Sequence, residues 1–194
     1  MGKLYPVIDD GVREFIARQH LFFVATAPTD ASAHLNLSPK GLDAFRVLGP
    51  QRVGYVDYPG SGVETIAHLR ENGRLVIMFC AFTGPPKILR LYGRGRVVEP
   101  QDADFHDLLA RFDAHEHVVR SLILLDVERV ADSCGYGVPR YEYVGERDQL
   151  LRWADKKGAD GLLDYQERKN ATSIDGLPGL RWIEERESGG ESGR

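Results

Sequence analysis

Seven β-prone runs occupy the first two thirds of the chain, and most are separated by only a few residues of turn chemistry. Leu21–Ala27 and Ala33–Ser38 flank Pro28-Thr29-Asp30-Ala31-Ser32. Phe45–Leu48 and Arg52–Tyr58 flank Gly49-Pro50-Gln51, and Arg74–Phe82 and Lys87–Val98 flank Thr83-Gly84-Pro85-Pro86. Ser121–Ala131 is the seventh run. Runs joined this tightly pair as antiparallel hairpins. Six or seven antiparallel strands expose two unpaired edges unless the sheet curls on itself. The predicted class is therefore mainly β with helices (α+β), built as a closed or half-closed barrel.

Two helices interrupt the runs. In Asp102–Phe112 the residues Phe105, Leu108, Leu109 and Phe112 recur at helical spacing and mark one buried stripe. A second helix is expected from Ser61, with Glu64 three residues on as the other half of a capping box, to Asn72-Gly73, where glycine supplies a left-handed end. Charge density then changes: residues 1–139 hold 32 charged side chains and residues 140–194 hold 22, a rise from about 23 % to 40 %. The expected organisation is a sheet-rich domain over 1–139 and a charged helical extension over 140–194. Leu150, Leu151, Trp153 and Ala154, then Leu162, Leu163 and Tyr165, predict two helical segments broken near Gly158. Residues 187–194 are expected to fray.

Composition removes several function classes. With 25 basic against 29 acidic residues the net charge is −4, which excludes a broadly basic nucleic-acid binder. The longest apolar run, Leu75–Phe82, is far short of the roughly 20 residues a membrane-spanning helix needs. Met1-Gly2-Lys3-Leu4-Tyr5-Pro6 lacks the apolar core of a secretory signal, and the expected location is cytoplasmic. Two cysteines build neither a disulfide framework nor a zinc site: Cys80 reads as a buried thiol and Cys134 as an exposed one. His115 and His117 flank Glu116 without a third ligand at fixed spacing, so no metal site is expected.

The chemistry concentrates in Leu35–Thr65. Asn36, Ser38 and Lys40 alternate along a strand end and point to one face, where an amide, a hydroxyl and an ammonium suit an anionic ligand. Asp57-Tyr58-Pro59-Gly60-Ser61-Gly62 is a glycine-rich loop that opens a helix, and helix-start amides attract phosphate. Thr65 adds a hydroxyl one turn in. If Lys40 faces that helix start, the two form a phosphate pocket. Taken singly, each element is also an ordinary cap, turn or loop.

The ordered set Phe22–Ala27, His34–Gly41, Gly54–Tyr58, Ser61–Asn72, Arg74–Phe79 and Leu89–Gly95 resembles the pyridoxamine 5'-phosphate oxidase-like family of split-barrel flavin-binding proteins, over roughly residues 15–135. The resemblance implies a split β-barrel and FMN bound in a groove between the two subunits of a homodimer. By position it places Asn36, Ser38 and Lys40 on the strand reaching ribityl and phosphate, and Tyr55, Val56 and Asp57 along the flavin ring edge. Ser61, Gly62 and Thr65 fall where the family holds phosphate, and Arg90 falls on a strand that can reach the cofactor across the dimer. Two departures stand out. Glu64 and Thr65 occupy the positions of a basic pair in the namesake enzyme, and the namesake's Arg- and His-rich C-terminal segment has no counterpart after Cys134.

The resemblance implies an FMN-dependent oxidoreductase that passes two electrons as hydride through flavin N5 to or from an unidentified small molecule, and the two departures count against pyridoxamine phosphate as that molecule. The alternatives are a non-catalytic FMN- or haem-binding or flavin-carrier module, a deazaflavin-dependent reductase, and a barrel that serves only for dimerisation.

Overall fold

The computed structural model describes residues 2–191. Its strands are β1 (Leu4–Tyr5), β2 (Phe22–Thr26), β3 (Asn36–Lys40), β4 (Phe45–Gly49), β5 (Arg52–Asp57), β6 (Arg74–Cys80), β7 (Ile88–Val98) and β8 (Ser121–Ser133). The helices are α1 (Asp10–Ala17), α2 (Glu64–Asn72), α3 (Phe105–Leu109), α4 (Gln149–Asn170) and α5 (Arg181–Glu191). All seven expected strands form and every pairing is antiparallel. The order is β3-β2-β6-β7-β8-β5-β4, with the short β1 added against β8. This curled sheet is a split barrel.

Side-chain alternation assigns the faces. Phe22, Val24, Val53, Tyr55, Ile77, Phe79, Leu89, Leu91, Ile123 and Leu125 fill the inside of the curl. Val56, Val98, Leu122 and Leu124 face outward, where Phe105 and Leu109 of α3 and the nearby Phe112 cover them. Burying each such side chain contributes about 1.5–3 kcal/mol. At the register shift in β7, a Cβ on Gly93 would lie 1.9 Å from the Asp126 carbonyl oxygen. Only glycine lets the two long strands approach there.

Several sequence expectations need correction. α1 was not predicted, although Asp9 caps it by accepting from the Val12 amide and Val12, Phe15 and Ile16 enter the core. The helix expected over Asp102–Phe112 is regular only over Phe105–Leu109. The capping box is absent: α2 starts at Glu64 with Val63 in the cap position and no side-chain cap. Its other end is as expected, at Gly73 with φ 68°. α4 breaks at Gly158, also as expected (φ 67°, ψ 175°). The expected fraying over 187–194 fails through Glu191, which completes α5, and residues 192–194 lie outside the described residues.

The extension packs against the body. Leu180 and Ile183 join the main core, and Ala154 and Leu162 enclose Val118 with Trp153 packed alongside. Cys80 is buried and Cys134 exposed. No helix among the described residues is long and apolar enough to cross a membrane.

Candidate functional site

A cavity of about 320 Å³ opens where the end of β3 meets the start of α2. Its lining combines two chemistries. Asn36, Ser38, Lys40, Thr65 and Arg120 are polar or cationic, while Leu42, Ala44, Val56 and Leu150 are apolar. Strand geometry explains the first group, because residues two apart on β3 share a face.

A hydrogen-bond network ties that face to α2. Ser38 Oγ donates to Asn36 Oδ1 at 2.9 Å, and Asn36 Nδ2 donates to Thr65 Oγ1 at 2.9 Å and Thr26 Oγ1 at 3.0 Å. Behind it, Thr26 Oγ1 lies 2.9 Å from Nδ1 of His68, a side chain wholly out of solvent whose burial lowers its pKa and favours the neutral ring. His68 is thus a buried member of the network.

Lys40 and the glycine loop meet through Asp57. The Asp57 carboxylate is inaccessible to solvent and accepts from Lys40 Nζ at 3.3 Å, Arg120 Nε at 2.8 Å and Ser121 Oγ at 3.3 Å. Burial pushes its carboxyl up, but the Arg120 guanidinium and then the Lys40 ammonium outweigh burial, so the net displacement is downward and Asp57 stays ionised. Arg120 also donates to the Gly60 and Gly62 carbonyls at 3.2 and 2.8 Å, which fixes the loop that leads into α2. Since α2 opens without a side-chain cap, its first amides retain donor capacity next to the cavity.

The structure thus brings six predicted residues together around this cavity: Asn36, Ser38, Lys40, Val56, Gly62 and Thr65. Asp57 sits beneath them and acts through Lys40 and Arg120. Tyr55 lies on the face of β5 opposite Val56, fully buried, with its ring 5.9 Å from Lys40 Nζ and its hydroxyl without a hydrogen-bond partner among the described residues. Ser61 is exposed and does not line the cavity. Arg90 also does not line it; its guanidinium donates to Ser133 Oγ at 3.1 Å.

Sequence reading missed Arg120, Asn170 and Leu150 as contributors. Arg120 had a signal, a lone cation heading the apolar run of β8, but its partner follows only from the β5–β8 pairing that sets Asp57 opposite Ser121. Asn170, at the end of α4, donates to the Gly60 carbonyl at 3.0 Å.

A family model for pyridoxamine 5'-phosphate oxidase matches residues 8–134. The chain belongs to the pyridoxamine 5'-phosphate oxidase family. A curated member, the pyridoxamine 5'-phosphate oxidase family protein ustO of Aspergillus flavus, is 41 % identical over 196 aligned residues, covering 93 % of this chain and 78 % of that protein. That alignment reaches beyond the part matched by the family model and into the extension. Among solved structures, a variant of HupZ from Group A Streptococcus aligns with TM-score 0.50 and 22 % identity, over 65 % of this chain and 99 % of that one. A Lactobacillus delbrueckii protein put forward as a pyridoxamine 5'-phosphate oxidase aligns with TM-score 0.51 and 16 % identity, over 66 % and 98 %. At these identities the structural likeness is one of fold.

Proposed function

We propose that the β3–α2 cavity binds FMN and that this pyridoxamine 5'-phosphate oxidase family member is a flavin-dependent oxidoreductase acting on a small molecule, as a homodimer in the cytoplasm. The observation that carries the reading is the donor set. Lys40, Ser38 and Thr65 line one cavity beside the uncapped first turn of α2, and Leu42, Ala44, Val56 and Leu150 give it an apolar wall. Such a set fits a phosphate joined to a flat, largely apolar ring. Lys40, Ser38 and Thr65 would hold the phosphate, while Leu42, Ala44 and Val56 would exclude water from the ring.

When bound, FMN supplies a two-electron centre at N5. The chain's own task is to bind, orient and shield. Arg120 keeps the loop in place through Gly60 and Gly62, and Asp57 holds Lys40 against the same wall. Hydride transfer to or from such a centre demands no side-chain acid or base in contact with it, so a cavity without a catalytic dyad suits the reaction.

The test begins with purified protein. It should be yellow with flavin absorbance, and Lys40→Ala should weaken FMN binding about 10- to 100-fold, the scale of a lost charge-assisted bond. Anaerobic addition of NADH or NADPH should bleach the flavin of the wild type. Unchanged flavin content in Lys40→Ala would break the pocket reading, and a flavin that stays oxidised with every donor tried would leave a flavin holder in place of an enzyme.

A further inference from the structure

One charge in the cavity opposes the proposed occupant. Glu64 is the first residue of α2 and lines the cavity. Its carboxylate folds back over the glycine loop, and a Cβ built on Gly62 would lie 2.5 Å from Glu64 Oε2. The other oxygen, Oε1, accepts from the Ile174 amide at 3.3 Å, in the segment between α4 and α5. The extension is fastened nearby at two further points. Asn170 donates to the Gly60 carbonyl, and Asp175 accepts from the His34 amide at 2.9 Å and lies 2.7 Å from His34 Nδ1. Glu64 is therefore held at the mouth of the helix by the extension. It pairs with no Lys or Arg among the described residues.

We infer that Glu64 is the affinity-setting residue of this site: a built-in carboxylate that lies at the anion-binding start of α2 and repels the phosphate of an incoming ligand. The inference rests on the phosphate reading of the cavity. The local charges support it. Lys40 and Arg120 are already shared with Asp57, so Glu64 leaves the four side chains with no net positive charge to meet a phosphate. The amides of α2 and the hydroxyls of Ser38 and Thr65 then supply most of the attraction, and a carboxylate in the same first turn subtracts from it. The affinity of the site for a phosphate-bearing ligand is consequently lower than the same donors would give without Glu64.

Glu64→Gln tests this, because the side-chain amide oxygen can still accept from Ile174 while the charge is removed and one acceptor oxygen becomes an NH2 donor. Flavin-free wild type and Glu64→Gln are titrated with FMN and with riboflavin, which lacks the phosphate, by quenching of flavin fluorescence. FMN should bind the variant about tenfold more tightly than the wild type at low salt, the scale of one partly screened charge a few ångströms away. Riboflavin affinity should not move. The gain should shrink as salt is raised.

Each other outcome has a distinct meaning. Wild type that prefers FMN to riboflavin, with Glu64→Gln binding FMN equally or less tightly, overturns the role of Glu64 and leaves the phosphate reading standing. Equal tightening of FMN and riboflavin also overturns it, since the carboxylate would then face some other part of the ligand. Wild type and Glu64→Gln that both bind riboflavin as well as FMN, or bind neither, overturn the phosphate reading and this inference together.

Discussion

At the scale of single residues, Asp57 is the cavity's hinge of charge. A wholly buried carboxylate is tolerable only when its neighbours supply the solvation it has lost, and Arg120 and Lys40 do so. Because folding lowers its pKa, the ionised carboxylate stabilises the fold at pH values above the ordinary carboxylate range. That contribution is lost as the pH falls through the lower folded value. Asp57→Asn is expected to cost about 3–5 kcal/mol at pH 7, since it leaves the Arg120 guanidinium buried without its counter-charge. Urea unfolding of wild type and variant at neutral and at strongly acid pH checks this: the gap should narrow in acid, and a variant as stable as wild type at pH 7 would refute the account. Asp57 was legible in the sequence as a member of the glycine loop. Its function as a buried counter-ion was not, because the partner that matters most lies 63 residues away, just ahead of β8.

Among the elements, α2 shows where local signals suffice and where they do not. Gly73 ends the helix by its own backbone freedom, a property of one residue, and it was read correctly. The start was misread because Ser61 and Glu64 have the spacing of a capping box, whereas the Glu64 side chain finds a better donor in Ile174, 110 residues on. The same long reach makes α4 part of the site. Asn170 is wholly buried and its Nδ2 holds the Gly60 carbonyl, so Asn170→Ala should cost about 0.5–1.5 kcal/mol through the lost hydrogen bond, Arg120 remaining as that carbonyl's other donor, and loosen the loop ahead of α2. Thermal unfolding together with flavin retention on gel filtration measures both effects. A variant with unchanged melting temperature and full flavin content would show that α4 is a bystander.

For the whole molecule, hairpin order and the curl of the sheet were readable because they follow from alternation and short turns. The attachment of the extension was not, because a high density of charge suggests a solvated appendage and hides the few apolar residues that dock it. Leu180 is 1 % exposed and sits with Ile183 in the same core as β2, β6 and β7. At the opposite extreme, Leu35 is 79 % exposed and Leu37 66 %, at and on the edge strand β3 whose other face forms the cavity. An edge strand with outward apolar side chains invites a second copy, so sedimentation should give about twice the 21.7 kDa chain mass and Leu37→Glu should return it to one chain. The extension predicts a different failure. Ending the chain at Pro139 removes Leu180 and Ile183 from the main core and Ala154 and Leu162 from the wall around Val118. Each lost large side chain is worth about 2–5 kcal/mol in a core that cannot collapse to fill the space, against a total stability of about 5–15 kcal/mol. Residues 1–139 produced alone should therefore be insoluble or lack cooperative unfolding, with no dimer and no flavin. A soluble fragment that melts cooperatively would show instead that the barrel is complete without the extension, and that the contacts of Asn170 and Ile174 trim the site without supporting the fold.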